Sequence, residues 1–243
     1  MSKRHLIELD FSRVQFVRPT VAVYFAFWLR HVKSQGNTNI VVPEPSRRLT
    51  NVESYLLHIG FWRFLENGCD LQSRIPVSGK KYLPFTSIKL PQVTGFIESK
   101  NAHEEIKRLS YKLAAIITRN EEPAFGPNRA LAYGLRETIR NVLEHAETDT
   151  CIVSGQNWEN GNSEIVIADS GIGIVGSLKS TISISDSKAA LQEAIRPGVS
   201  SKFDDSEWND WANTGFGLFM LSEIGRRLGK FLLMSDGSFI WLG

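Results

Sequence analysis

The segment GLRETIRNVLEHAETD, residues 134–149, constrains the fold of this chain more than any other stretch. Residues four apart lie above one another on an α-helix, so a helix here aligns Glu137, Asn141 and His145 in one polar row. The apolar residues fall on the opposite side of that helix: Leu131, Leu135, Ile139 and Val142. The pattern predicts one packed face and one polar face, which is either available for chemistry or simply solvated.

Composition is typical of a globular protein. The chain has 243 residues with 42% hydrophobic content, enough for one large domain or two modest ones. The longest uninterrupted apolar run, residues 21–29, is too short to cross a bilayer, and the N-terminus does not resemble a signal peptide. Cys69 and Cys151 have neither disulfide-framework nor zinc-site spacing. These features predict a cytoplasmic protein without a membrane partner.

Charge is distributed unevenly along the chain. Residues 1–100 contain 14 Lys and Arg against 7 Asp and Glu, whereas residues 101–243 contain 14 against 19. A basic region can attract nucleic acid, but these basic residues are scattered, and no helix-turn-helix, zinc-finger or aromatic RNA-binding motif accompanies them. The sequence favours dispersed surface charge over a nucleic-acid interface.

The first half of the chain has the pattern of a small α/β module. The predicted order is strand, helix, strand, helix, at residues 6–17, 20–36, 39–43 and 52–65. Proline and glycine then punctuate residues 75–96, and we predict the junction between two domains there.

The second half is predicted to contain three longer helices and several strands. The predicted elements are a helix at 102–119 with an exposed His103 near its start, the helix at 134–149, a β-hairpin of 150–153 and 164–168, a helix from Phe216 and two closing strands.

Two glycine-rich stretches in this half have features that suit ligand binding. DSGIGI, residues 169–174, follows a predicted strand, and NTGFGLFML, residues 213–221, leads into a predicted helix. A glycine-rich loop before a helix presents free N–H groups and a positive dipole end to phosphate. A carboxylate at a strand end, followed by spaced glycines, can accept a hydrogen bond from an adenine amino group. Each loop alone also arises in ordinary turns.

The three motifs together, ExxxNxxxH, DxGxG and TGxGL in this order, resemble those of the GHKL ATPases, the superfamily of gyrase, histidine kinases and MutL. The resemblance covers about residues 80–243. It implies a Bergerat-type ATP-binding domain, a two-layer α/β sandwich, with ATP and Mg²⁺ as its ligands.

The resemblance also implies roles for individual residues. Asn141 would ligand Mg²⁺, Glu137 would orient or deprotonate the attacking water or hydroxyl, and Asp169 would bind the adenine amino group. The other implied nucleotide-binding residues are Gly171, Gly173, Ile174, Ser200, Ser201, Lys202, Thr214, Gly215, Phe216, Gly217 and Leu218. Of these, Ser200, Ser201 and Lys202 belong to a lid, and the residues from Thr214 onward would hold the phosphates.

The strand-helix-strand-helix pattern of the first half resembles a STAS domain, an interaction module of the anti-anti-sigma-factor type. The sequence therefore predicts an α/β (α+β) protein of two domains. Residues 1–76 form the STAS-like interaction domain, residues 77–100 form a linker and entry strand, and residues 101–243 form the ATPase domain.

These resemblances imply a regulatory protein that binds ATP or ADP, has weak ATPase activity and acts as a nucleotide-dependent switch on a protein partner. Two alternatives stay open: a protein serine/threonine kinase of the anti-sigma-factor type, and an interaction module that binds nucleotide without turnover. The sequence also leaves open whether the chain forms a homodimer. Residues 175–212 are polar and long for a plain connection, which predicts a mobile lid that nucleotide orders.

Overall fold

The computed structural model describes residues 5–36, 38–41, 48–67, 80–89, 96–148, 150–179, 184, 186–199 and 215–243. The predicted mixture of helices and strands is confirmed: the chain has a mixed α/β fold. It divides into two compact units. The first unit comprises Met1–Ile88 and Ile152–Ala168, and the second unit comprises Lys89–Cys151 and Asp169–Gly243.

The first unit begins with a βαβ arrangement. Its elements are β1 (His5–Glu8), α1 (Pro19–Ser34), β2 (Thr38–Val41), α2 (Asn51–His58), α3 (Phe61–Asn67) and β3 (Tyr82–Lys89), to which most of β4 (Thr150–Asn157) and β5 (Ser163–Asp169) are added. Strands β1 and β2 pair in parallel, with Ile7 opposite Ile40. A parallel pair needs a long crossover, which α1 supplies.

Two sequence expectations for this unit need correction. The predicted strand at 6–17 ends at Glu8, and the single helix predicted at 52–65 is two helices, α2 and α3, separated by Ile59 and Gly60. Helix α2 begins with a capping box, because the Thr50 hydroxyl accepts a hydrogen bond from Glu53 N at 3.2 Å and the Glu53 carboxylate accepts one from Thr50 N at 2.8 Å.

The core of the first unit is rich in aromatic side chains. The rings of Phe61 and Trp62 meet edge to face with centroids 5.0 Å apart, and Phe85 of β3 contacts both Phe61 and Phe64. Aliphatic residues of α1, α2 and β4 complete the cluster: Ala22, Val23, Ala26, Leu29, Val52, Leu56 and Ile152. This cluster joins the helices to one face of β3 and β4.

Strands β3, β4 and β5 form a three-stranded sheet in that order. The predicted hairpin is confirmed: β4 and β5 are neighbours joined by residues 158–162, where Trp158 N donates to Asn162 O at 2.9 Å. The hairpin is tied to helix α1 by Glu164, whose carboxylate accepts from Thr20 N at 2.8 Å and pairs with Arg18 at 3.1 Å.

The second unit is built around two long helices. Its elements are α4 (Phe96–Thr118), α5 (Gly126–His145), α6 (Gly173–Leu178), α7 (Ser187–Ala194), α8 (Gly217–Leu228), β6 (Phe231–Ser235) and β7 (Ser238–Leu242). Helices α4 and α5 pack along each other, and β6 and β7 form an antiparallel pair. The buried apolar residues of the helix pair are Ile106, Leu109 and Leu113 on α4 and Leu131, Leu135 and Ile139 on α5.

The segment predicted as a long polar connection contains ordered helices. Helix α6 starts within the DSGIGI stretch, and α7 is capped by Asp186, whose carboxylate accepts from Ala189 N at 2.8 Å. Ala190 and Leu191 of α7 are fully buried, and α7 packs against β6 and β7. Residues 187–194 of the predicted lid are therefore helical, and residues 200–212 lie outside the described ranges.

Among the helices that the structure describes, none combines the length and apolar character that crossing a lipid bilayer requires.

Candidate functional site

Helix α5 carries the ExxxNxxxH row as predicted, but its polar side is not left to solvent. Glu137 is only 1% exposed, whereas Asn141 and His145 are half-buried. On the apolar side, Leu131, Leu135 and Ile139 are buried as predicted. The expectation of one packed face and one open face is thus wrong at Glu137.

Helix α8 is the element that covers the polar side. A β-carbon added to Gly217 would lie 2.4 Å from the Glu137 β-carbon, and Gly134 of α5 lies close to Leu221 of α8. Only a residue without a side chain fits so near another helix, which explains the glycine at position 217. This contact brings the start of the TGFGL helix against the first residue of the polar row.

The Glu137 carboxylate lies among arginine side chains of its own helix. Its Oε1 atom is 3.4 Å from Arg140 Nη1 and 3.6 Å from Arg136 Nη2. Arg140 also binds Glu144, with Nε and Nη2 at 3.1 and 2.9 Å from Glu144 Oε1. Arg140 therefore bridges two carboxylates, one buried and one partly exposed.

The DSGIGI loop docks on the other end of α5. Ile172 N donates a hydrogen bond to the Ala146 carbonyl at 2.8 Å, directly after the last residue of α5. A β-carbon at Gly171 would lie 2.0 Å from that same carbonyl oxygen, so a glycine is required for this close approach. Packing against protein therefore accounts for Gly171, and its implied role in shaping an adenine pocket stays a prediction.

Asp169 ends strand β5 at the start of this loop. Its Oδ1 atom accepts a hydrogen bond from Gly171 N at 2.8 Å, and its Oδ2 atom accepts none from the described residues. Burial raises the pKa of the Asp169 carboxyl, and the hydrogen bond from Gly171 offsets part of this rise. A half-buried carboxyl with one oxygen available suits an amino-group donor.

The second glycine of the loop faces the turn between β6 and β7. The β-carbon position of Gly173 lies 2.6 Å from Asp236 Oδ2, and Ile174 N donates to Ser235 Oγ at 2.9 Å. Val175 N lies 3.3 Å from Asp236 Oδ2. The first N–H groups of α6 are thus capped by side chains from a distant hairpin rather than by a local residue.

The N-terminus of α8 has the features of a phosphate cradle. Phe216 is its N-cap residue and makes no side-chain hydrogen bond to the first turn within the described part of the chain. The first N–H groups of a helix have no partner within the helix, so this turn can present donors to an anion. Gly215 is buried, and its carbonyl accepts a hydrogen bond from Gly198 N at 3.2 Å, which brings residues 198–199 beside the loop.

The structure brings together most of the predicted residues that it describes. Gly217 approaches Glu137 of α5 and Gly171 approaches Ala146 just after its end, and Asp169, Gly215, Phe216 and Leu218 lie within two residues of these glycines in the chain. Asn141 lies on α5 one turn after Glu137, and Gly173 and Ile174 contact the turn between β6 and β7. The remaining predicted residues, Ser200, Ser201, Lys202 and Thr214, lie outside the described residues.

Sequence reasoning missed several neighbours of these residues. Arg140 lies three residues after Glu137 and four before Glu144, a spacing that favours ion pairs on a helix and could have been recognised. Ala146, Ser235 and Asp236 gave no comparable signal, because their contacts join segments far apart in the chain.

His103 was expected to be exposed near a helix start, but it is half-buried and lies inside α4. Burial lowers the pKa of its imidazole, and the positive charge of Arg140 lowers it further. The side of α4 that faces Arg140 therefore adds a neutral group to the site at neutral pH.

No family model, no curated protein and no solved structure matches the chain.

Proposed function

We propose that this chain is a regulatory protein that binds ATP with Mg²⁺ through a GHKL-type domain and acts on a protein partner in a nucleotide-dependent way. The observation that supports the proposal is the meeting of three separate sequence motifs on one helix, α5. The start of α8 contacts its middle, and the DSGIGI loop contacts its end. If the glycine-rich motifs were unrelated turns, they would not be expected to contact the same helix.

The residues around α5 have chemistry that suits such a ligand. Asp169 offers a carboxyl oxygen to the adenine amino group, and the first turn of α8 offers N–H donors to phosphate oxygens. Asn141, one helical turn after Glu137, offers an amide oxygen. Proteins commonly hold Mg²⁺ by one or two oxygen ligands together with substrate phosphates. The bound ion would neutralise phosphate charge.

Glu137 is the residue that would orient or deprotonate a nucleophile, water in an ATPase or a hydroxyl in a kinase. Its burial and its ion pairs with Arg136 and Arg140 support slow turnover, because a carboxylate paired with guanidinium groups is a weaker base. This observation also favours the alternative of a module that binds nucleotide without hydrolysis.

The first unit supports a STAS-like interaction module as the second half of the proposal. Its parallel β1–β2 pair with α1 as crossover and the following α2 and α3 agree with the strand-helix-strand-helix pattern. A nucleotide-binding unit joined to an interaction module suits a switch, in which bound nucleotide changes the conformation that a partner protein binds.

Calorimetry and thermal unfolding with Mg-ATP test the proposal. A ligand present at about 100 times its Kd stabilises the native state by about 2.7 kcal/mol, so a clear rise in Tm is expected. Asp169→Asn should reduce this rise strongly. Glu193→Gln, which removes a carboxylate from an exposed ion pair with Arg196, is the matched control and should leave it unchanged.

Absence of binding heat and of any Tm change with millimolar Mg-ATP would refute the proposal. If binding occurs, γ-labelled ATP separates the three activities: label in free phosphate indicates an ATPase, label in a partner protein indicates a kinase, and label retained in ATP indicates a binding module.

A further inference from the structure

The Glu137 side chain lies where the proposed chemistry needs it, but its carboxylate is already engaged. Gly217, the first residue of α8, contacts the Glu137 β-carbon, so this side chain starts beside the first turn of α8. The carboxylate itself lies against Arg140, and the two residues are 1% and 7% exposed. Oε1 accepts a hydrogen bond from Arg140 at 3.4 Å, and a carboxylate paired with a guanidinium is a weaker base toward water.

Arg140 has a second carboxylate within reach, and this contact is the closer one. Two of its nitrogens lie 3.1 and 2.9 Å from Glu144 Oε1, whereas a single nitrogen lies 3.4 Å from Glu137 Oε1. The guanidinium can therefore keep its charge paired with Glu144 while it releases Glu137. Removing a charge from a buried pair without such a substitute would be strongly unfavourable.

We propose that Arg140 is a positioning residue that holds Glu137 in an inactive ion pair, and that nucleotide turnover requires Arg140 to pair with Glu144 alone. This inference rests on the proposed nucleotide-binding function. In hydrolysis a water oxygen bonds to the terminal phosphorus, the bond from that phosphorus to the leaving ADP oxygen breaks, and the Glu137 carboxylate takes the proton of the water. Release from Arg140 leaves the Glu137 carboxylate a stronger base for this step.

The first test needs no nucleotide. Urea unfolding of Glu137→Gln, Arg140→Met and the double variant forms a double-mutant cycle. Arg140→Met is expected to lower the folding equilibrium constant about tenfold, because it leaves the buried Glu137 carboxylate without its nearer guanidinium, whereas Glu137→Gln should cost less, because Arg140 stays paired with Glu144. The double variant should cost less than Arg140→Met, since it also removes that buried charge. Strictly additive effects would show that the two side chains are not coupled and would overturn the inference.

The second test measures turnover with Mg-ATP. Arg140→Met should raise kcat about tenfold while KM changes less than about threefold, since one such contact changes a proton-transfer step and not substrate binding. Adding Glu137→Gln should abolish the gain. Arg140→Lys keeps the positive charge but loses the several N–H donors of the guanidinium, so it should give an intermediate kcat. This variant replaces Arg140→Met in the test if Arg140→Met does not fold.

Arg108→Met is the matched control. Arg108 pairs with Glu105 at the same three-residue spacing on α4, with nitrogens 2.9 and 2.7 Å from the carboxylate oxygens, but the pair is exposed. This variant should leave kcat unchanged.

The outcomes distinguish the two proposals. Failure of the wild-type protein to bind Mg-ATP refutes the proposed function and the inference with it. Binding that persists in folded Arg140→Met and Arg140→Lys, with kcat no higher than in the wild type, overturns only the positioning role of Arg140.

Discussion

The aromatic cluster of the first unit and the surroundings of α5 in the second unit show two ways of building an interior. Around Phe61 and Phe64 the contacts are apolar rings packed edge to face. Around Glu137 the contacts include buried charges, glycines at close approach and the N-terminus of a helix. The first arrangement maximises apolar burial, and the second retains polar groups where burial is costly.

The surroundings of α5 and the aromatic cluster therefore differ in the kind of group that they bury. Buried apolar surface stabilises a fold wherever it is located, whereas an ionised carboxylate and uncapped N–H groups stabilise it only when something pairs with them. The surroundings of α5 are therefore expected to respond to substitution and to ligand differently from the aromatic cluster.

The largest effect is expected from Phe61→Ala in the aromatic cluster. Phe61 is fully buried, so its truncation should lower the free energy of unfolding by about 3–5 kcal/mol through lost burial and a cavity. Urea unfolding measures this loss. Phe16→Ala, at a residue that is 57% exposed, is the control and should cost less than about 1 kcal/mol. Similar costs for the two variants would contradict the role given to the cluster.

Gly217→Ala should have the next largest effect. Alanine favours helices over glycine by about 1 kcal/mol, so the substitution would stabilise an unobstructed helix. Here the added β-carbon meets Glu137, and a cost of about 1–3 kcal/mol is expected together with weaker Mg-ATP binding. Gly229→Ala, where the β-carbon position has no neighbour within 4 Å, is the control. A stabilised Gly217→Ala variant would show that α5 and α8 are not in close contact.

Thr50→Ala should have a smaller effect, because it removes one side-chain contact of a partly buried capping box. The expected loss is about 1 kcal/mol by urea unfolding. Thr50→Ser keeps the hydroxyl and should stay close to the wild type. Nucleotide affinity should not change in either variant, and a change would break the distinction between the two regions.

Asp169→Asn should have the smallest effect on stability, and with the opposite sign. Burial raises the pKa of this carboxyl in the folded protein, so the folded state favours the protonated form and loses stability as pH rises through the folded pKa. Asparagine keeps an oxygen for Gly171 N without the charge. Tm of the variant should therefore exceed that of the wild type at neutral pH, and the difference should vanish below the unfolded carboxyl pKa of about 3.9.

A lower Tm for Asp169→Asn at neutral pH would contradict the burial of the charge. A higher Tm combined with lost nucleotide binding would show that Asp169 is retained for a ligand and not for the fold.

Local patterns allowed much of the fold to be predicted. Helix α1 and the β4–β5 hairpin followed from periodicity and turn residues, as did the order of elements in the first unit. Helix α7 was missed because the polar character of its surroundings suggested a loop. Asp186, which accepts from Ala189 N three residues later, is a typical N-cap residue and was a signal for the start of a helix. The break between α2 and α3 was missed because the apolar pattern continues through Ile59 and Gly60.

The candidate site was predictable as a set of motifs but not in its packing. Motif order was sufficient to group α5, the DSGIGI loop and the start of α8. The burial of Glu137 depends on how α8 crosses α5, and the surroundings of Gly173 depend on a turn about 60 residues away. Contacts of this kind are set by tertiary packing, which local periodicity does not encode.

The cap on α6 also has a kinetic consequence. Ile174 and Ser235 are 61 residues apart, so the hydrogen bond that fixes the DSGIGI loop closes a long segment of chain. Long-range contacts form late, because the entropy of loop closure must be overcome before they stabilise anything. During synthesis the loop emerges before the hairpin that caps it, and at roughly 5–20 residues per second the delay is several seconds. The contact between the DSGIGI loop and the β6–β7 turn is therefore among the last in the second unit to form.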